Sequence, residues 1–373
     1  MIKRILKIAL CFVTVTGITL IIYTAAANPP YRILFNCVAA AGLGLPSPET
    51  ISADNTLSSD IDLVGIAAGY GTPAAIGYYD SLPVLPPLAG QDPPQPPEES
   101  PPLPENAFPI IPLDMSEEQT ANGIRLKNES KYTPDPNILA KKEYPLPYTQ
   151  AASPNPGNQP LVLIVHTHGT ECYSPEGTNF YTPDTPTRTT DTTQNVVAVG
   201  SVLAEVLTER GISTIHCTTM FDEKSYSESY DLSETVIKDY LQKYPSIQYV
   251  FDLHRDSITR ENNEKIKPYT VVNGIPTAQA MFVVGTDSAG APHPNWEQNL
   301  TVASILQSNM LARYGNVMRP INLRAASFNA EHAPGSILIE IGSCGNSLSE
   351  AQNCARLLGD VIAETILSDG ANS

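Results

Sequence analysis

The sequence predicts an α/β fold in which a mostly parallel, twisted β-sheet has helices on both faces. Three segments, 161–166, 249–253 and 336–342, are rich in branched aliphatic residues and have the length of single strands. Such near-continuous apolar runs are typical of strands that are buried on both faces of a sheet. Helical patterns lie between them, and this alternation favours a parallel sheet between two helical layers.

The first elements of this domain follow one another closely. Apolar residues at helical spacing predict a helix over 193–210, which Gly211 ends. A strand over 212–217 follows. A second helix is expected to begin at Ser233, because serine is a preferred N-cap residue, and to end before Pro245.

The second half of the domain opens with a predicted hairpin. An Asn-Gly pair at 273–274 lies between two β-prone segments and is typical of a tight turn. The outgoing arm is expected to continue into a strand over 278–285. A helix over 299–313 follows from its periodicity. Ser347 and Glu350 have the spacing of a capping box and predict the start of the last helix.

The N-terminal part of the chain has a different composition. Basic residues precede a charge-free apolar run that is long enough, at ~20 residues, to cross a bilayer, so residues 1–27 predict a membrane anchor. The basic flank places the rest of the chain outside the cytoplasm. Most of the 34 prolines lie in 28–159, which is expected to be an extracytoplasmic, largely disordered linker. Residues 160–373 would form the folded domain.

Charge and cysteine usage narrow the classes of function. The formal net charge of −17 argues against a nucleic-acid partner, because phosphate binding needs a basic face. The six cysteines match no zinc knuckle or CxxC motif. The sequence also contains no GxSxG motif, and Cys172 is close to the histidines only in sequence, so a serine or cysteine nucleophile is disfavoured.

Ionisable residues stand at the ends of the three predicted strands. His168 follows the first, His254 the second, and Glu340 ends the third, so one sheet edge could hold all three. Two histidines and a carboxylate with an open fourth position are the pattern of catalytic zinc. Glu340 would serve as the general base, and a buried strand-end carboxylate without a partner would be costly.

The third ligand stays open between two acidic residues. Asp191 precedes the first predicted helix, whose start would lie at the same sheet edge, and Glu171 follows His168 by three residues. His166 would point to the same side as His168 if the strand stays extended. Arg255 could form an ion pair with its neighbour Asp256, or it could orient His254 without binding the metal itself.

Five sequence blocks in this order resemble the stage II sporulation protein P family, membrane-anchored peptidoglycan hydrolases of endospore-forming bacteria. The resemblance covers roughly 160–368, and the apolar N-terminus and proline-rich segment also stand in the order the family has. The blocks are HTHGTECYSP, TTDTTQNVVAVGSVLAEVLTERGI, SIQYVFDLHRDSI, VVGTDSAGAPHPNWEQNL and SILIEIGSCGNSLSEA.

The family is similar in turn to zinc-dependent N-acetylmuramoyl-L-alanine amidases, so the resemblance implies an amidase-like fold and a zinc cofactor. It implies His168, Asp191 and His254 as ligands and Glu340 as the catalytic carboxylate. Asp191 stands where the amidases have glutamate, and its shorter side chain leaves Glu171 as the alternative.

The activity that the resemblance implies is hydrolysis of the amide between N-acetylmuramic acid and L-alanine, and also of peptide cross-links. It further implies a role in forespore engulfment with the stage II sporulation proteins D and M. A competing interpretation is a tethered, non-catalytic wall-binding or scaffold protein that keeps the fold. An unrelated extracellular metallopeptidase is a third, and would cleave ordinary peptides that lack muramic acid.

Overall fold

The computed structural model describes residues 103–116, 124–135, 146 and 159–368. The predicted membrane anchor, 1–27, and most of the predicted linker lie outside these residues. Within the described segments, no helix combines the length and the apolar character needed to cross a membrane.

The described residues form strands β1 to β11 and helices α1 to α4. The strands are β1 (Phe108–Leu113), β2 (Leu126–Asn128), β3 (Val162–Val165), β4 (Phe180–Tyr181), β5 (Thr214–His216), β6 (Tyr249–Asp256), β7 (Lys265–Val272), β8 (Ile275–Ala278), β9 (Ala280–Gly285), β10 (Ile321–Arg324) and β11 (Gly335–Ser343). The helices are α1 (Val196–Glu209), α2 (Ser229–Lys243), α3 (Trp296–Tyr314) and α4 (Leu348–Ser368).

The larger sheet has seven strands in the order β2-β10-β9-β11-β6-β3-β5. Every neighbouring pair is parallel except β9 and β11, which are antiparallel. The mostly parallel sheet predicted from the sequence is therefore present. The three strands expected to carry the site, β3, β6 and β11, are direct neighbours.

Both faces of this sheet are covered. Val162 and Ile164 of β3 join the larger apolar core, which includes buried residues of α1, α3 and α4. Leu163 and Val165 alternate with them and join a smaller core with Ile237 of α2. Because successive side chains of a strand point to opposite faces, the helices lie on both sides of the sheet, as the sequence predicts.

A smaller sheet has four strands, in the order β4-β1-β7-β8. Its β1, together with β2 of the larger sheet, comes from the segment that the sequence assigns to the linker. Pro109 and Pro112 interrupt β1 and hide its strand pattern, since proline lacks a backbone donor. Ile110 between them is only 2% exposed, so this segment belongs to the folded domain.

The Asn-Gly pair forms the expected turn between β7 and β8. Asn273 and Gly274 have φ angles of 53° and 82°, the left-handed values that a tight hairpin turn requires. The outgoing arm does not run straight on. Gln279 separates β8 from β9 and donates hydrogen bonds from its side chain to Asp114 and to the carbonyl of Asn316. The chain thereby passes from the smaller sheet to the larger one.

Two helix starts show what the sequence predicted and what it missed. In α4, Ser347 and Glu350 form the predicted capping box, each accepting from the other's backbone amide at 3.3 and 3.2 Å. In α2 the prediction was wrong. The helix begins at Ser229, and Ser233 is a buried residue of its second turn whose hydroxyl donates to the carbonyl of Tyr230.

Candidate metal centre

The candidate site lies at the ends of three neighbouring strands. His168 sits in the turn that follows β3, and His254 is near the end of β6, which pairs with β3. Glu340 of β11 is the direct register partner of His254. Residues paired in a parallel ladder point to the same face, so Glu340 and His254 share one side of the sheet.

His168, Glu171 and His254 converge as a buried group whose ligand atoms all lie within 4.8 Å of one another. The Nδ1 atom of His168 is 3.7 Å from Glu171 Oε1, and Nδ1 of His254 is 3.4 Å from Glu171 Oε2. All three side chains are 4% exposed or less. The two nitrogens thus flank one carboxylate in the interior of the protein.

These separations fit a shared metal ion better than strong hydrogen bonds. Hydrogen bonds of this type are usually 2.7–3.2 Å long. Two donors each ~2.0–2.2 Å from one tetrahedral ion lie roughly 3.4 Å apart. The donor set of two imidazoles and one carboxylate is also the one that catalytic zinc sites use.

The charges around the group suit a divalent cation. Burial by itself would raise the pKa of Glu171, but Arg255 and both histidines hold it well below its usual value, so this carboxyl group is anionic. Burial and the neighbouring His254 lower the pKa of His168 to about 3. His168 is therefore neutral near pH 7, the protonation state that a metal ligand needs.

His254 is surrounded by negative charge. Burial opposes its protonation, but Asp252 and Glu171 raise its pKa well above the usual value. Its Nε2 atom is 3.1 Å from Asp252 Oδ1, although the alignment falls short of a hydrogen bond. Asp252 is fixed by Thr167, whose amide and hydroxyl donate to it at 2.8 and 2.6 Å. A metal ion can replace the proton of His254 and supply the positive charge that these carboxylates favour.

Two arginines hold the loop that carries Glu171. The backbone amide of Arg255 donates to Glu171 Oε2 at 3.1 Å, and its guanidinium donates to the carbonyls of Cys172 and Thr187. Arg188 approaches Glu171 Oε1 at 3.7 Å and also pairs with Asp222. Arg255 is therefore a residue that positions a ligand, and Asp256 beside it pairs instead with Arg319 at 2.7 Å.

Asp191, the first choice for the third ligand, lies outside the group, and Glu171, the alternative, lies within it. Asp191 is exposed, and its Oδ1 accepts hydrogen bonds from the amide and hydroxyl of Thr193 at 2.9 and 2.7 Å. These bonds lower the pKa of its carboxyl group. Its carboxylate therefore stabilises a local turn just before α1, and the N-cap of α1 is Asn195.

His166 also lies apart from the metal group. Its Nδ1 atom contacts the carbonyl of Leu253 at 3.2 Å, and its Nε2 atom lies 2.8 Å from Nε2 of His216. The extended backbone ends at Val165 and a turn follows, so the two-residue spacing does not bring His166 to the side of His168. Gly200 of α1 makes room for this histidine pair, since a Cβ there would lie 2.6 Å from the ring of His166.

Glu340 is enclosed next to the metal group without belonging to it. Burial and the nearby Asp256 carboxylate raise its pKa well above the usual value. Its Oε2 atom is buried and has no hydrogen-bond partner within the described segments. A carboxyl group whose pKa is raised by its surroundings, beside a metal site, is suited to act as a general base.

Sequence reasoning missed the residues that support this centre. Asp252 lies two residues before His254 in β6, and period-two alternation was the signal that could have found it. Tyr226 and Tyr230 left no comparable signal. Their rings pack against His168, with centroids 4.5 Å away in a stacked arrangement and 5.5 Å away edge-on.

An α/β sheet with a buried His-Glu-His group at its strand ends, and a proton-accepting carboxyl group beside it, defines the class of candidate metal-dependent hydrolases. Comparison with known proteins identifies the family. The family model described as Stage II sporulation protein P (SpoIIP) matches residues 105–363, and the chain belongs to this family.

A relative within this family is stage II sporulation protein P of Bacillus subtilis (strain 168). It is 30% identical over 261 residues, which are 67% of this chain and 59% of that protein. The match therefore spans less than two thirds of the relative's length.

Three solved structures are similar to parts of this chain at low sequence identity. N-acetylmuramoyl-L-alanine amidase AmiC2 of Nostoc punctiforme is 14% identical, over 57% of this chain and 97% of that chain, with a TM-score of 0.34. The CwlD amidase from Clostridioides difficile, in complex with the GerS lipoprotein, is 14% identical, over 55% and 98%, with a TM-score of 0.37. N-acetylmuramoyl-L-alanine amidase from Clostridium difficile 630 is 13% identical, over 58% and 100%, with a TM-score of 0.34.

Proposed function

We propose that this protein is a zinc-dependent peptidoglycan hydrolase that cleaves the amide between N-acetylmuramic acid and L-alanine. The observation that carries the proposal is the buried group of His168, Glu171 and His254, with Glu340 enclosed beside it. Membership of the stage II sporulation protein P family supports a cell-wall substrate and a role in sporulation.

The three buried residues would hold the zinc ion, with Asp252 orienting His254 and Arg255 orienting Glu171. When bound, zinc supplies a Lewis acid that activates water near neutral pH. Glu340 takes a proton from the attacking water, for which its raised pKa is suited. It then passes this proton to the amide nitrogen as the carbon–nitrogen bond breaks. The products are a muramic acid carboxylate and a free amine on L-alanine.

Cleavage of peptide cross-links, the membrane anchor over 1–27 and action in engulfment with stage II sporulation proteins D and M are further parts of the proposal. The anchor rests on the charge-free apolar run that follows the basic N-terminal residues, and the other two rest on the sequence resemblance. An anchored enzyme with a long tether suits a polymer substrate that lies at a distance from the bilayer.

The test uses the purified full chain, supplied with zinc, on isolated cell walls. Wild type should release stem peptides with a free L-alanine amine. His168→Ala and His254→Ala should lose both bound zinc and this release, whereas Glu340→Gln should keep zinc and lose release. A scaffold protein would bind walls without release. Zinc loss in Glu340→Gln would instead make Glu340 a ligand, and activity in both histidine variants would remove the zinc mechanism.

A further inference from the structure

Tyr230 stands beside the metal centre, and the proposed hydrolysis does not yet use it. It is the second residue of α2, and its ring lies edge-on to His168 with centroids 5.5 Å apart. The ring also packs against Phe328, with centroids 6.1 Å apart. The residue is partly exposed.

The position of Tyr230 is fixed from its backbone as well as its ring. Its carbonyl accepts hydrogen bonds from Asn329 Nδ2 at 2.8 Å and from the hydroxyl of Ser233 at 3.1 Å. The Ser233 hydroxyl also lies 2.8 Å from the hydroxyl of Thr167, which holds Asp252. The tyrosine is thus connected to the residues that orient His254.

The loop against Tyr230 adopts a costly backbone conformation. Phe328 and Asn329 have φ angles of 55° and 58°, two successive left-handed values at non-glycine residues. Such residues are uncommon and cluster at functional sites. Here they place the Phe328 ring and the Asn329 amide against Tyr230. The fold therefore maintains strain where it fixes this tyrosine.

The hydroxyl makes no hydrogen bond among the described residues, and the carboxyl groups of Asp252, Glu340 and Glu171 are among its electrostatic neighbours. A phenol is a hydrogen-bond donor, so this hydroxyl is available to donate to a substrate beside the metal group.

We propose that the Tyr230 hydroxyl donates a hydrogen bond to the carbonyl oxygen of the scissile amide and stabilises the negative charge that develops on it. The inference deepens the proposed function and rests on it. When water adds to the carbonyl carbon, the π electron pair moves to oxygen, and the phenol proton stays on Tyr230. The charge returns to a carbonyl double bond as the amine leaves. A fixed donor needs no reorganisation during this step, which makes it effective.

The experiment compares Tyr230→Phe with wild type, using the full chain with zinc and a soluble muropeptide that contains the muramoyl-L-alanine bond. Phenylalanine keeps the ring contacts with His168 and Phe328 and removes only the hydroxyl. We expect kcat to fall by about 10²–10³-fold, the usual effect of losing one such donor. KM, zinc content and the thermal midpoint should stay close to wild type.

A second readout measures binding in place of turnover. A phosphinate analogue, which carries a tetrahedral anionic centre at the position of the scissile amide, should bind the variant more weakly by a factor similar to the fall in kcat. A non-cleavable analogue with a flat ketone should bind both proteins equally. Tyr240→Phe is the matched control, because it removes a hydroxyl from the same helix where it packs against the smaller core.

The outcomes separate the two proposals. If wild type cleaves the muropeptide and Tyr230→Phe retains kcat within about threefold, the role of Tyr230 is overturned and the proposed function stands. Loss of zinc in parallel with kcat would likewise overturn it, since Tyr230 would then act by supporting His168. If wild type with zinc cleaves no muropeptide, the proposed function falls, and the role of Tyr230 falls with it.

Discussion

Replacing Glu171 by glutamine should remove most of the affinity for zinc. The variant keeps the size of the side chain but removes the charge that lies 3.4 Å from His254 Nδ1 and 3.7 Å from His168 Nδ1. Loss of a group that only orients a ligand typically weakens metal binding by about 10–100-fold. A direct, buried ligand should cost more, so we expect a loss above ~100-fold, which corresponds to about 2.8 kcal/mol.

The matched control is Asp191→Asn, because Asp191 is exposed and its carboxylate accepts hydrogen bonds only from Thr193 among the described residues. Zinc affinity is measured by competition with a chelator of known affinity, and circular dichroism checks that Glu171→Gln stays folded. Asp191→Asn should bind zinc within about twofold of wild type. Full affinity in Glu171→Gln, or a large loss in Asp191→Asn, would refute the assignment of the third ligand.

Three further predictions concern stability. Gly200→Ala should lower the free energy of unfolding in urea, because the new Cβ would lie 2.6 Å from His166 and 2.8 Å from His216. Overpacking costs about 1–3 kcal/mol, whereas the gain in helix propensity is about 1 kcal/mol. An unchanged urea midpoint would contradict this prediction. Ser347→Ala should cost ~0.5–2 kcal/mol by removing half of the capping box with Glu350, and a smaller loss would show that the cap is dispensable. Burial lowers the pKa of His216 to about 4 in the folded protein, whereas its pKa in the unfolded chain is ~6.5. Between these two values the unfolded chain binds more protons than the folded one, so stability falls as the pH drops from the higher value to the lower. His216→Gln should reduce this fall by at most roughly 2 kcal/mol between about pH 7 and 5, and identical pH profiles would argue against a buried neutral His216.

The fold was predictable where local chemistry decides the structure. The Asn273-Gly274 turn and the capping box of α4 form as expected, because each depends on residues a few positions apart. Strand β1 was not predictable, because its prolines obscure the pattern and its partners, β4 and β7, come from distant parts of the chain.

The candidate site was predictable as far as strand ends define it. His168, His254 and Glu340 follow from three apolar strands that prove to be neighbours. The choice between Glu171 and Asp191 could not be made, because it depends on a turn after β3 that folds Glu171 back between the histidines. Tyr230 could not be predicted from the sequence either, because a loop from another part of the chain holds it in place.

The pairing of β3 with β6 has a consequence for how the proposed metal site would be filled. Glu171 and Arg255, which meet at the centre, are 84 residues apart in sequence, so an unfolded chain holds at most the local pair of His168 and Glu171. An ion held by this group would therefore bind the native state almost exclusively and stabilise it by mass action, by about 2.7 kcal/mol at a hundred times its dissociation constant. Metal supply and resistance to proteolysis should rise and fall together in this protein.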